Sequence, residues 1–163
     1  MSNFPTKKLL IAGIPGMGKT RIGNHLQEKH NFVHIDMEIN NNIEAIIQNC
    51  EIFINNLSAE KDVVLTWGFI PNNQQIEIVN NLVSRNFKPI WFDGNREAAR
   101  REFIRRDSQF GTEYLSAQLA ALALQVQRIE ESKITELINW KIINTFNSRH
   151  NFRSLDDIVK EIY

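Results

Sequence analysis

Residues Gly13-Ile14-Pro15-Gly16-Met17-Gly18-Lys19-Thr20 constrain the fold of this chain more than any other stretch. They match G-x-x-x-x-G-K-[ST], the pattern of a phosphate-binding loop. The apolar run Leu9-Leu10-Ile11-Ala12 precedes them as a strand. Thr20-Arg21-Ile22-Gly23-Asn24-His25-Leu26-Gln27 follows as a helix. In that strand–turn–helix setting the glycines let successive N–H groups turn inward without a Cβ clash. Those amides and the positive end of the helix then surround an anion. Gly13, Gly16, Met17, Gly18, Lys19, Thr20 and Arg21 are the candidate nucleotide contacts. Lys19 offers a point charge for the β- and γ-oxygens of a nucleoside triphosphate, and the Thr20 hydroxyl suits Mg²⁺.

The rest of the chain alternates strand-like and helix-like segments. Strands are expected at about 8–12, 32–35, 62–67, 89–92 and 140–144. Helices are expected at about 19–29, 43–57, 73–84 and 96–106, with a long helix after a polar break at 107–112. The second helix is read as one piece, because Ile43, Ile46, Ile47, Cys50, Ile54 and Leu57 recur at helical spacing. Leu115, Leu119, Leu122, Val126 and Ile129 form one face of the long helix. Ser154-Leu155-Asp156-Asp157 opens a final helix as a capping box. This order predicts right-handed βαβ crossovers and an α/β fold, a three-layer αβα sandwich around a five-stranded parallel sheet. Ligands bind such sheets beyond the carboxyl ends of the strands. That rule gathers the loop at 13–20, Asp36, Trp67-Gly68 and Asp93 along one rim.

Composition narrows the partners. A chain of 163 residues is expected to form a single domain, here 1–163, with a short lid at 106–113. Lys plus Arg equal Asp plus Glu at 19 each, so no field of one sign points to nucleic acid or an anionic membrane. No apolar run reaches membrane-spanning length. The one cysteine, Cys50, excludes an internal disulfide and reads as a buried thiol on an apolar helix face, which fits a cytoplasmic setting. The four histidines are scattered without a zinc-ligand pattern and read as structural or solvent-exposed. The expected partner is a small-molecule acceptor, and the chain itself is a monomer or homodimer.

The order of elements resembles the small P-loop kinases, the group of shikimate kinase, gluconate kinase and adenylate kinase. Beyond the loop, three segments carry the likeness. Phe32-Val33-His34-Ile35-Asp36-Met37-Glu38 is similar to the Asp-x-Asp that follows strand two in shikimate kinase. There the first carboxylate lies near the magnesium and the second holds substrate hydroxyls. The resemblance implies Asp36 as a metal and acceptor carboxylate and Glu38 as a second acceptor contact; the simpler alternative is a polar strand end that caps the next turn. Leu65-Thr66-Trp67-Gly68-Phe69 matches the border of the acceptor pocket, making Trp67 and Gly68 candidate contacts, unless the aromatics are core. Phe92-Asp93-Gly94-Asn95-Arg96, with the arginine-rich helix to Arg106, resembles the lid-bearing segment of gluconate-kinase-like enzymes. It implies that Arg105 and Arg106 meet the transferring phosphoryl; the alternative is a salt-bridged helix face. In these kinases the loop after strand five contacts the purine, which nominates Arg149.

The likeness implies an ATP-dependent kinase that uses Mg²⁺ to transfer the γ-phosphoryl to a hydroxyl or phosphate acceptor. Lys19, Asp36, Arg105 and Arg106 are its implied catalytic residues, and Thr20 and Asp36 its metal ligands. Two departures argue against shikimate itself: one glycine ends strand three where shikimate kinase has three, and helix two lacks arginine. Strand three also ends in Thr66-Trp67 without a Walker-type acid, leaving Asp93 as a weaker metal candidate. The competing reading is an NTPase or nucleotide-binding regulatory module with no metabolite acceptor.

Overall fold

A computed structural model describes residues 6–57, 61–69 and 71–163. Five strands, β1 (Lys8–Gly13), β2 (Val33–Asp36), β3 (Val63–Trp67), β4 (Lys88–Asp93) and β5 (Lys141–Asn144), form one parallel sheet in the order β2-β3-β1-β4-β5. Helices cover both of its sides. The expected α/β architecture and strand count are what the structure has. β1 lies at the centre, with Leu10 facing Leu65 of β3 on one side and Pro89 of β4 on the other. β3 is buried throughout, and β1 from Leu9 onward. A strand covered on both faces must be apolar throughout rather than alternating, which is why these runs lack period-two patterning.

α1 (Lys19–His30) begins at the phosphate-loop lysine and packs on β2 and β3. Its Gly23 is a packing requirement: a Cβ there would run into the His34 imidazole. That ring is half-buried. Asn24 Oδ1 can only accept, so His34 Nδ1 donates to it at 3.0 Å, and Nε2 accepts from the Thr66 hydroxyl at 2.8 Å. Burial pushes the His34 pKa down, in keeping with a neutral ring that ties β2, β3 and α1 together.

The helix expected at 43–57 is two helices, α2 (Asn42–Gln48) and α3 (Cys50–Asn55). Asn49 breaks it. Its backbone is extended (φ −159°, ψ 99°), and its side-chain oxygen accepts from Ile52 N at 2.9 Å, capping α3. Apolar periodicity is blind to a polar residue that competes for the backbone in mid-run. Cys50 then falls in the first turn of α3, half-buried rather than deep in the core, with its thiol pKa raised by burial.

α4 (Asn73–Ser84), α5 (Arg96–Asp107) and α8 (Leu155–Ile162) each start behind a side-chain cap: Asn72, Asn95 and Ser154. A 3₁₀ turn (Ser108–Phe110) joins α5 to the long α6 (Thr112–Ser132), and a short α7 (Ile134–Leu137), not foreseen from sequence, leads into β5. The frequent asparagines have a local use. Asn31, Asn40, Asn41 and Asn86 all adopt positive φ of 55–69°, which Asn tolerates better than other side chains. Among the described residues, no helix is long and apolar enough to cross a membrane.

The Asn49 break has an opposite-signed test. Asn49→Ala removes a cap and should lower unfolding free energy by about 1 kcal/mol. In an unbroken helix the same change would raise it by up to about 0.7 kcal/mol. Urea denaturation of the two proteins decides between them.

Candidate active site

The phosphate loop leaves β1 and turns back on two positive-φ glycines, Gly16 and Gly18, both at +85°. Gly16 is pressed against the backbone of Ala99 in α5, where a Cβ would collide with the carbonyl oxygen. The loop is therefore clamped between its own strand and a second helix. Gly18 is the N-cap of α1, which has neither a capping side chain nor an acidic residue in its first turn. The N–H groups at this helix end open onto a cleft of about 370 Å³ lined by Gly16, Gly18, Lys19, Thr20 and Arg21. Bare first-turn amides beside a basic side chain are a site built for an anion.

Lys19 Nζ donates to the carbonyls of Gly13 (3.2 Å) and Ile14 (3.0 Å). Burial pushes its pKa from 10.5 down to about 8; Glu38 and, less, Asp36 oppose this, and Arg106 adds to it. Its hydrogen bonds are to main-chain dipoles alone, which leaves the ammonium short of countercharge. The cleft as a whole is cationic. Lys19, Arg21, Arg105 and Arg106 line it against Glu38 and Glu102. Arg105 and Arg106 project from the last turn of α5, Arg105 paired with Glu102 at 2.9 Å and Arg106 with buried Asp107 at 2.9 Å. Both guanidiniums remain largely exposed.

The two carboxylates after β2 differ in place. Glu38 lines the cleft and sits over Gly68, where a Cβ would collide with its carboxylate. The single glycine ending β3 thus makes room for Glu38. Asp36 is not among the lining residues. Its Oδ1 accepts from Glu38 N at 2.9 Å, while its carbonyl accepts from Asn42 Nδ2 at 2.8 Å. It shapes the turn that delivers Glu38. The carboxylates that share the cleft with Thr20 are Glu38 and Glu102.

Other expected residues lie elsewhere. Trp67 is 1 % exposed and packs edge-on against Phe69 at 5.4 Å, so it belongs to the core. Its indole Nε1 is buried without a hydrogen-bond partner among the described residues. The Met17 side chain is fully buried, with the Thr145 hydroxyl against its sulfur; only its backbone belongs to the loop. Asp93 is held by Gly94 N at 2.7 Å and by an ion pair with Arg96, away from the cleft. Arg149 is exposed on a turn in which Asn147 Oδ1 accepts from the N–H groups of Arg149 and Asn151. That turn carries Phe152 back to the cleft, where it stacks on Phe146 (4.6 Å, 18°) under the Arg21 guanidinium at 5.1 Å. Sequence reading missed Phe152, Glu102, Phe103 and Gln125. The pair Phe146 and Phe152, bracketing an Asn-rich turn, was the available signal for Phe152.

Solved structures with a similar fold can be named. A gluconokinase from Sinorhizobium meliloti 1021 is similar over 98 % of this chain and 90 % of its own, with a TM-score of 0.59 and 14 % identity. A sugar kinase from Janibacter sp. HTCC2649 matches over 97 % and 92 %, at 0.57 and 14 %. A shikimate kinase from Bacteroides thetaiotaomicron matches over 96 % and 95 %, at 0.54 and 18 %. The chain has the P-loop kinase fold. No protein-family model and no curated protein matches it by sequence. The likeness therefore lies in backbone architecture.

The depressed Lys19 has a measurable consequence. Between about pH 8 and 10.5 the unfolded chain keeps the Lys19 proton while the folded protein releases it, so this group makes stability rise with pH across that window. Below pH 8 the cost of the buried charge is fully present. Lys19→Met should remove that part of the slope. Parallel urea titrations across the window check it, and identical slopes would mean that Lys19 is not depressed.

Proposed function

We propose that this protein is an ATP-dependent small-molecule kinase, transferring the γ-phosphoryl group to a hydroxyl or phosphate of an acceptor. One observation carries the reading: a single cleft has bare helix amides and Lys19 on one side and Glu38, seated over Gly68, on the other. That is a phosphate cradle facing a carboxylate that can meet an acceptor hydroxyl. The named neighbours, a gluconokinase, a sugar kinase and a shikimate kinase, support it at the level of fold.

In this reading the amides of 16–20 and Lys19 hold the β- and γ-phosphates, and the bound anion stabilises the Lys19 charge that burial disfavours. Phe152, backed by Phe146, takes the face of the purine with Arg21 alongside; this role replaces the one assigned to Arg149. Thr20 would hold Mg²⁺, with Glu38 and Glu102, which line the same cleft, as the carboxylates available to assist it. When bound, the ion would neutralise phosphate charge. The acceptor oxygen attacks the γ-phosphorus in line as its bond to the ADP oxygen breaks. Glu38 orients the hydroxyl and takes its proton. Arg105 and Arg106, at the hinge of a lid over 106–113, turn their exposed guanidiniums from Glu102 and Asp107 to the transferring group. Asp36 acts through the turn it fixes.

Incubation with Mg-ATP and a panel of hydroxylated metabolites, followed by ADP release, tests the proposal. Acceptor-dependent turnover is expected. Equal release without acceptor would make the protein a hydrolase, and tight nucleotide binding without turnover a regulatory module. Among variants, Glu38→Gln should lower kcat about 10²–10⁴-fold. Asp36→Asn keeps an oxygen for the Glu38 amide and should cost much less. The reverse order would return the acceptor role to Asp36. Lys19→Ala should abolish transfer.

A further inference from the structure

Outside the residues that line the cleft, the fold gathers three metal-binding side chains that sequence spacing hides. His25 and His30 lie in the last turns of α1, and Asp156 in the first turn of α8. His25 Nε2 is 3.2 Å from Asp156 Oδ1, and the two imidazoles meet edge-on with centroids 5.5 Å apart. One ligand atom from each of the three lies within 4.8 Å of the others. Ligands of a tetrahedral Zn²⁺, at about 2.0–2.1 Å from the ion, stand about 3.3 Å apart. The His25–Asp156 edge already has that length. His30 is an exposed side chain at the helix end, and a small ring movement closes the remaining edges.

The geometry points to a binding site for one borderline transition-metal ion, Zn²⁺ being the type, formed by His25, His30 and Asp156 with water in the open position. Two imidazoles and one carboxylate are a donor set for Zn²⁺ and its first-row neighbours and a poor one for Mg²⁺. The local field agrees. The carbonyl-rich end of α1 favours a cation, and the neighbouring Asp157 is paired with Lys160 at 3.8 Å. His25 is largely covered (15 % exposed) and supplies a fixed ligand, while Asp156 at 79 % leaves the ion an open approach. The site joins two helices whose first contact in sequence is 131 residues apart. An ion there cross-links the ends of the chain and stabilises the folded state by mass action.

The test uses the full, tag-free chain, stripped with EDTA and titrated with Zn²⁺ in a chelator-buffered solution without nucleotide. One Zn²⁺ per chain should bind and raise Tm; Mg²⁺ at the same concentration should not. His30→Ala and Asp156→Asn, both exposed, should match the parent Tm in EDTA yet bind Zn²⁺ at least about tenfold more weakly. Absence of a Zn²⁺-dependent Tm rise, or binding by both variants as tight as the parent's, overturns the site. Neither result bears on phosphoryl transfer, which the ADP assay reads separately.

Discussion

The bare N-terminus of α1 organises this molecule. A helix end with no capping side chain leaves its first amides without partners, a cost that proteins normally avoid. Here the surrounding chain holds that end open. Gly18 stands where a Ser or Asp would cap it, and Gly16 lies against the Ala99 carbonyl, while within the loop Met17 N donates to Ile14 O at 3.4 Å. Lys19 repeats the pattern, an ammonium held by two carbonyls and depressed by burial. Unmet donors and an undercompensated charge, set in place before any ligand arrives, are the usual form of electrostatic preorganisation. The sheet makes this affordable: β1 is central and buried, so the strand that feeds the loop is rigid.

Most of the fold was legible because it depends on features that sequence records directly. Apolar runs of strand length, asparagine and serine caps, and the glycine-lysine loop each act within a few residues. The failures came where a residue's role depends on hydrogen bonds or side-chain directions that apolar spacing does not record. Asn49 looked like one polar position on an apolar helix, and only the bond to Ile52 shows it as a cap. Trp67 ends the strand beside the cleft, but the side chains of a strand alternate, and it is Gly68 that faces Glu38. Asp36 and Glu38 were both readable as site carboxylates. The turn hydrogen bond that sets Asp36 behind Glu38 is a matter of three dimensions. Phe152 was missed for the same reason, since the Asn147 turn that returns it to Gly18 is defined by bonds among side chains and amides.

The division between Asp36 and Glu38 also bears on the missing acid of β3. Thr66 occupies the interior of the strand end and gives its hydroxyl to His34, a use that binds the sheet to α1 rather than a metal. With that position spent on structure, negative charge in the cleft comes from Glu38 after β2 and Glu102 on α5. Glu38 is the larger electrostatic counterweight to Lys19, ahead of Asp36. Two carboxylates among four cations leave a net positive cleft, suited to a polyanion. A ligand that carries its own negative charge would gain from Arg105 and Arg106, whose guanidiniums are largely exposed even in their ion pairs with Glu102 and buried Asp107.

α1 uses both poles of its dipole. Its amide end opens into the cleft, and its later turns carry His25, about 9 Å along the axis from Lys19, and His30, about 17 Å along it. α8 answers with the opposite pole, its first-turn Asp156 lying against His25. The segment just before α8 holds Phe152 beside Gly18. The cradle and the histidine cluster therefore share the same two mechanical elements, a helix that starts the site and a helix whose entry loop completes it.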